Sequence, residues 1–161
     1  MTIRDDGDII RGLGFVALYA AYIEEAIDAC VDSLKVIDTA PKKELAKWPI
    51  SRKLHFCTKL LDKLDTGNPE IEDLRLALSV AAGLLEHRHD VLHGRIYAQY
   101  GQPDVRKSGR IGVPDREINS EELYQLANSL FGTCKPIMHG AQFAIPRAIR
   151  MQQNNRNSDN A

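Results

Sequence analysis

The residues able to do chemistry are gathered in one run: Glu86-His87-Arg88-His89-Asp90-Val91-Leu92-His93-Gly94-Arg95. It holds three of the protein's five histidines, among two acids and two arginines. A histidine titrates at about pH 6.5, so His93 can take a proton from a hydroxyl or return one to a leaving oxygen near neutrality. Arg88 stays cationic and offers a planar fork of donors suited to two phosphate oxygens. Together they fit metal-free cleavage of an RNA phosphodiester. The base assists attack by the 2′-hydroxyl while the guanidinium stabilises the charge that develops.

Helices must position these groups. Across residues 8–36 the apolar positions Leu13, Val16, Ala20, Ile23, Ile27, Val31 and Leu34 step by three and four, which predicts one long helix. Ile10, Leu18 and Tyr22 widen its apolar face and predict contacts on more than one side. Glu24 and Glu25 interrupt that face: they fit a solvated pair at the stripe's edge, or, for Glu24, an acid pointing into a central cleft. Pro41 breaks the helix. A short helical turn over residues 42–48 precedes Pro49, and Ser51 is placed to cap a second helix ending near residues 65–67.

Asn68-Pro69-Glu70 is a strong helix start: a capping side chain, proline at the first helical position, and an acid in the first turn. The stripe that follows runs Ile71, Leu74, Leu78, Ala81, Leu85, Arg88, Leu92, and Gly94 supplies the stop. The stepping therefore sets Arg88 on a packed seam, where a cation needs an acid, a helix end or a phosphate.

Residues 95–118 lack helical periodicity and form an irregular arm, with short strands around Ile96-Tyr97 and Arg110-Ile111 as a β-hairpin reading. Arg95, Tyr97 and Arg110 combine cations with an aromatic ring, which suits single-stranded RNA; an ordinary solvated loop has the same composition. Asn119 and Glu122 are spaced as a capping box for a last long helix, which Pro136 and Pro146 should kink or split. The fold class expected is all-α, a four- to five-helix bundle over residues 1–151, with residues 152–161 as a disordered, Asn-rich tail.

One geometric difficulty attaches to the pair. Five residues apart on an ideal helix, Arg88 and His93 point about 140° away from each other. They converge if the last turn unwinds, or if a two-fold dimer brings two copies of the helix end together.

The segment Arg88-His89-Asp90-Val91-Leu92-His93-Gly94 resembles the motif of the HEPN superfamily (higher eukaryotes and prokaryotes nucleotide-binding domain). That motif is an arginine, four to six residues often led by a polar one, then histidine. Arg88 and His93 match its ends and His89 its polar position. The helix order, with the acid Glu24 midway along a long first helix, is similar too. The resemblance implies an all-α homodimer whose paired motifs face one cleft, with RNA as partner. In that cleft Arg88 and His93 are catalytic, with His89, Asp90 and Glu24 in support. It also implies a metal-independent ribonuclease of toxin–antitoxin, phage-defence or RNA-processing systems, with a cognate antitoxin protein as one kind of partner. Other members bind without cutting, so a non-catalytic dimerisation or RNA-binding module stays open. Arginine and histidine also favour a helix C-terminus on electrostatic grounds alone.

A third reading is metal chemistry. His89 and His93 stand at i and i+4 beside Glu86 and Asp90. His89-Asp90 resembles the pair of HD-domain phosphohydrolases, with His55 as an upstream ligand. That pattern needs a further aspartate on a helix, and Asp104 and Asp115 fall in the irregular arm. The chain carries no phosphate-cradling glycine loop, Gly-x-Ser-x-Gly elbow or dinucleotide fingerprint, so no cofactor is expected.

Composition sets the outer bounds. With 161 residues, 43% hydrophobic and 27% charged, the chain has the balance of a globular domain, and its net charge of −1 confines any nucleic-acid contact to local patches. Cys30, Cys57 and Cys134 are odd in number, unpaired in spacing and set on apolar stripes, which predicts buried free thiols in a reducing compartment. The acidic start does not read as a signal peptide, and no apolar run approaches membrane length, so a cytoplasmic protein without membrane contact is expected.

Overall fold

In the computed structural model, which describes residues 8–38, 44–64, 67–99, 102–107, 112 and 114–158, helix α1 (Asp8–Leu34) touches every other helix. It buries Val16, Ala20, Ile23, Ile27, Cys30 and Leu34 completely, as the three- and four-residue stepping requires. Each fully buried isoleucine or leucine contributes roughly 1.5–3 kcal/mol from apolar area removed from water. Gly12 brings α1 against helix α4 (Ser120–His139): a Cβ there would lie 2.8 Å from the Cβ of Leu123. The widened face is largely uncovered among the described residues, where Ile10, Leu18 and Tyr22 are all exposed.

Helix α2 (Ile50–Leu61) departs from expectation at both ends. Extended Pro49 occupies the cap position, Ser51 lies inside the first turn, and no side chain caps the start. The helix stops at Leu61 because the following turn tucks Leu64 into the core. Its exposed carbonyl end is closed from two other helices: Arg75 Nη2 donates to Leu61 O at 2.6 Å and Gln152 Nε2 to Lys63 O at 2.8 Å. A single 3₁₀ turn (Leu45–Lys47) precedes α2; residues 42 and 43 of the expected turn lie outside the described residues.

Helix α3 (Pro69–Leu92) starts as its signature demands, with Asn68 Oδ1 accepting from the Glu70 N–H at 2.9 Å. It buries Ile71, Leu74, Leu78, Ala81 and Leu85 against the bundle. Near its end the buried position is Val91, while Leu92 is half-exposed.

The irregular arm is a three-stranded antiparallel sheet in the order β1 (Arg95–Gln99), β2 (Gln102–Lys107), β3 (Arg116–Glu117). β1 falls where a strand was expected around Ile96-Tyr97, and its partner strand is β2. Arg110 and Ile111, expected in the second strand, lie outside the described residues.

The last helical region is interrupted just before Pro146 and not at Pro136. Helix α4 runs past Pro136, a π turn occupies Gly140–Ala144, and helix α5 (Ile145–Ser158) follows. In that wider turn the Ile145 N–H reaches Gly140 O, and Pro146, lacking an N–H, cannot serve the next carbonyl, Ala141 O. The hydroxyl of Ser33 on α1 donates to it instead, at 2.8 Å. Helix α5 continues through Ser158, so the stretch from Gln152, expected as a disordered tail, is helical that far. Gln152 itself is tied to Lys63.

The fold class is thus a mostly helical bundle with a small antiparallel sheet between its third and fourth long helices. Cys30 and Cys57 are buried free thiols, but Cys134 is only half-buried. Burial, helped by nearby Asp28, pushes the Cys57 thiol up to about 12, and burial and then Cys57 raise that of Cys30. Among the described residues no helix is long and apolar enough to cross a membrane.

Ser33→Ala should leave Ala141 O buried without a donor. The expected loss is about 1–3 kcal/mol in urea unfolding with an unchanged m-value; a variant as stable as the parent would show that the π turn satisfies its own carbonyls.

Candidate functional site

Helix α3 distributes the motif side chains around its last turns. Arg88 enters a cleft of about 360 Å³ between α1, α2 and α3, whose apolar wall includes Ile50, Leu54 and Leu85 and whose polar groups include Glu24, Ser51, Glu86 and His89. The seam position inferred for Arg88 is where it sits, with only 27% of its side chain exposed. Its charge partner is Glu24, across the cleft on α1, with Nη2 and Oε1 3.5 Å apart. That ion pair is loose, and the Arg88 Nε is sealed from solvent with no hydrogen-bond partner among the described residues. The guanidinium therefore keeps donor capacity that Glu24 does not use. Of the two placements open to Glu24, the cleft is the one it takes, while Glu25 is exposed.

His93 ends the helix. Its backbone takes the cap position (φ −95°, ψ −1°), its N–H donates to His89 O at 3.1 Å, and its side chain is exposed. The cleft holding Arg88 is not lined by His93. Within one chain the helix remains regular to Leu92, so the two motif ends do face different ways. His89 connects them: it lines the Arg88 cleft, and its ring centroid is 4.3 Å from that of His93, tilted by 50°. Asp90 is half-buried and adds to the field on Arg116.

Gly94 has a different reason from a left-handed helix stop, since its φ is not positive. A Cβ there would lie 2.5 Å from Arg106 Nε and 2.7 Å from its Cγ. A side chain at this position would displace that of Arg106, which reaches over the end of α3 from β2.

A second cluster, not foreseen as a site, joins α3 to the sheet and to α4. Arg116 on β3 grips Glu122 with both fork nitrogens, at 2.8 and 2.6 Å, and His87 Nε2 is 3.2 Å from the same carboxylate. Half of the expected capping box is present, as Asn119 Oδ1 accepts from the Glu122 N–H at 2.8 Å. The reciprocal half is not, because the Glu122 side chain turns to Arg116. The hydrogen bond from Arg116 holds the Glu122 carboxyl below the usual glutamate range, and the same bond raises the guanidinium. The Asn-x-x-Glu spacing was visible in sequence, but its use by His87, 35 positions away, was not.

Of the residues expected to hold RNA, Arg95 is exposed on β1. Tyr97 lies on β1 with its side chain outside the description, and Arg110 is outside the described residues. Among the described residues no three of His, Cys, Asp and Glu are grouped to hold a metal ion. His55 is exposed on α2.

The Glu122 carboxylate has a pH signature. Its folded pKa is depressed, so its stabilisation is complete above the unfolded value of about 4.3 and is lost as pH falls through the lower folded value. Glu122→Gln should therefore lower stability at neutral pH and flatten the acid limb of stability against pH below about 4.3. Parallel acid limbs for variant and parent would remove the fork from the stability account.

Among known families, characterised proteins and solved structures, no family model, protein or structure matches the chain.

Proposed function

We propose that this protein is a metal-independent endoribonuclease of the HEPN type, working at the cleft of a homodimer. The observation that carries the reading is the state of the two motif ends. Arg88 is held in a cleft by a loose ion pair that leaves donors unused, and His93 is exposed at the helix end, its ring tilted against that of His89. A phosphate can compete for such a guanidinium, and an exposed imidazole can reach a substrate hydroxyl.

In the reaction, neutral His93 takes the proton of a ribose 2′-hydroxyl as its oxygen forms a bond to phosphorus. The bond from phosphorus to the 5′-oxygen breaks, and that oxygen leaves with a proton from the protonated His93 of the second copy. The products are a 2′,3′-cyclic phosphate and a 5′-hydroxyl. Arg88 neutralises the charge that builds on the phosphoryl oxygens, Glu24 and Asp90 orient the cations, and His89 steadies the His93 ring. Two copies related by a two-fold axis resolve the divergence of Arg88 and His93 on one helix. Arg95, Tyr97 and Arg110 extend contact along the strand. Toxin or phage-defence action, with an antitoxin protein as partner, is the setting the motif suggests.

One observation favours a second reading. Arg88 already has Glu24 as counter-ion and His93 is absent from its cleft, an arrangement that also serves a helical RNA-binding module without chemistry.

Incubating the protein with mixed-sequence RNA in EDTA separates the two. Cleavage with 2′,3′-cyclic ends is expected, falling roughly 100-fold or more in His93→Ala and by a similar order in Arg88→Ala, with helicity and dimer mass retained. If both variants cut as fast as the parent, the assignment is wrong; binding without cutting by the parent establishes the module instead.

A further inference from the structure

Arg106 differs from the other buried or half-buried lysines and arginines of the described residues. Lys53 faces Asp28 at 2.5 Å, Arg75 faces Asp62 and Glu72, Arg88 faces Glu24, and Arg116 faces Glu122. Arg106 on β2 is more buried than any of these, with 4% of the residue exposed, yet among the described residues it has neither an ion pair nor a hydrogen bond. Its Nε is sealed and unpartnered among the described residues, as are those of Arg75 and Arg88, but neither of its terminal nitrogens is both sealed and unpartnered. An unpaired buried cation is costly, and natural folds neutralise it unless something else needs it.

The sheet makes its situation worse. Arg106 pairs across β2–β3 with Arg116 and across β1–β2 with Ile96, so the three side chains share one face. Like charges directly opposite on neighbouring strands are unfavourable. Glu122 answers one of the two arginines with both its oxygens and leaves the other unanswered. What Arg106 does touch is the end of the motif helix, with its Nε, Cγ and Cδ over Gly94, the residue after His93. The partial negative charge at the α3 C-terminus softens the cost, but it is worth less than a carboxylate.

We infer that Arg106 is an oxyanion receptor, taking a phosphate group of the bound RNA strand next to the scissile one; this rests on the RNA reading above. A phosphate there supplies the missing counter-charge, matches the guanidinium fork and sets the register of the strand against His93. The distance of one residue from Arg106's contact at Gly94 to His93 is what ties the two positions together.

The test uses the full chain and Arg106→Met, which keeps bulk and removes charge. Without anions the variant should melt at or above the parent temperature, because an unpaired buried cation has gone. Inorganic phosphate should then raise the melting temperature of the parent and not of the variant. Affinity for a 2′-O-methylated RNA, which cannot be cleaved, should fall about tenfold, and the slope of log affinity against log salt should shrink by about one phosphate. A variant that melts lower than the parent but keeps the phosphate response would make Arg106 a structural cation and overturn the inference. So would a phosphate response that depends on Arg106 with RNA affinity that does not. If the variant does not fold, the Nε–Hε NMR signal of Arg106 in the parent, assigned with Arg106→Lys, decides: it moves on adding phosphate, or the inference fails. His93→Ala must retain the rise in melting temperature on adding phosphate. A parent that shows these binding effects and never cuts RNA loses the nuclease assignment and keeps the site.

Discussion

Burial of α1 is the constraint on which the rest of the structure depends. A helix sealed along Val16, Ile23, Ile27 and Leu34 must be covered along that stripe, and α2, α3, α4 and α5 each supply part of the cover. The approach is close enough that Gly12 leaves no room for a methyl group against Leu123. Two consequences reach the functional region. Glu24, on the same helix, is delivered to the Arg88 cleft. Ser33, two turns further on, supplies the donor that Pro146 cannot, which permits the wide turn between α4 and α5.

The charges near the end of α3 form two systems with different roles. Arg116, Glu122 and His87 are mutually satisfied and hold the sheet against the starts and ends of helices. Arg88 and Arg106 are under-satisfied: one has a loose acid partner and a sealed Nε, the other has no partner among the described residues. Folded proteins tolerate such groups where a ligand completes them, since breaking a hydrogen-bond account in a low-dielectric site is expensive. Both under-satisfied arginines flank the helix end that carries His93. Mutual satisfaction in one system gives rigidity, and deficiency in the other leaves donor capacity unused.

The legibility of this arrangement in sequence varied with the range of the interactions involved. The start of α3 was readable from Asn68, Pro69 and Glu70 because a cap is settled within three residues. The seam position of Arg88 was readable because helical periodicity is local. The start of α2 was misread: Ser51 has the right chemistry for a cap, but Pro49 already fixes an extended residue one position before Ile50. The helical course of α5 past Gln152 was not legible, because composition reports propensity while Gln152 is held by a carbonyl in the turn after α2. Ile10, Leu18 and Tyr22 carry the right period for packing, yet nothing in periodicity says how many neighbours are present to receive them.

By itself, the sequence determined the helical class, the long first and third helices, the arginine on a packed seam and the histidine at a helix end. Each follows from contacts within one or two turns, where the backbone period and side-chain chemistry leave few alternatives. Only the tertiary structure decided that Glu24 is the acid facing Arg88, that Glu122 abandons its own cap for Arg116 and His87, and that Arg106 reaches over Gly94. Those pairings join residues from 6 to 64 positions apart on different elements, so their energies depend on how whole elements pack. A charged side chain chooses its partner by distance in space and by what burial leaves unpaired, and neither quantity is written in the local pattern.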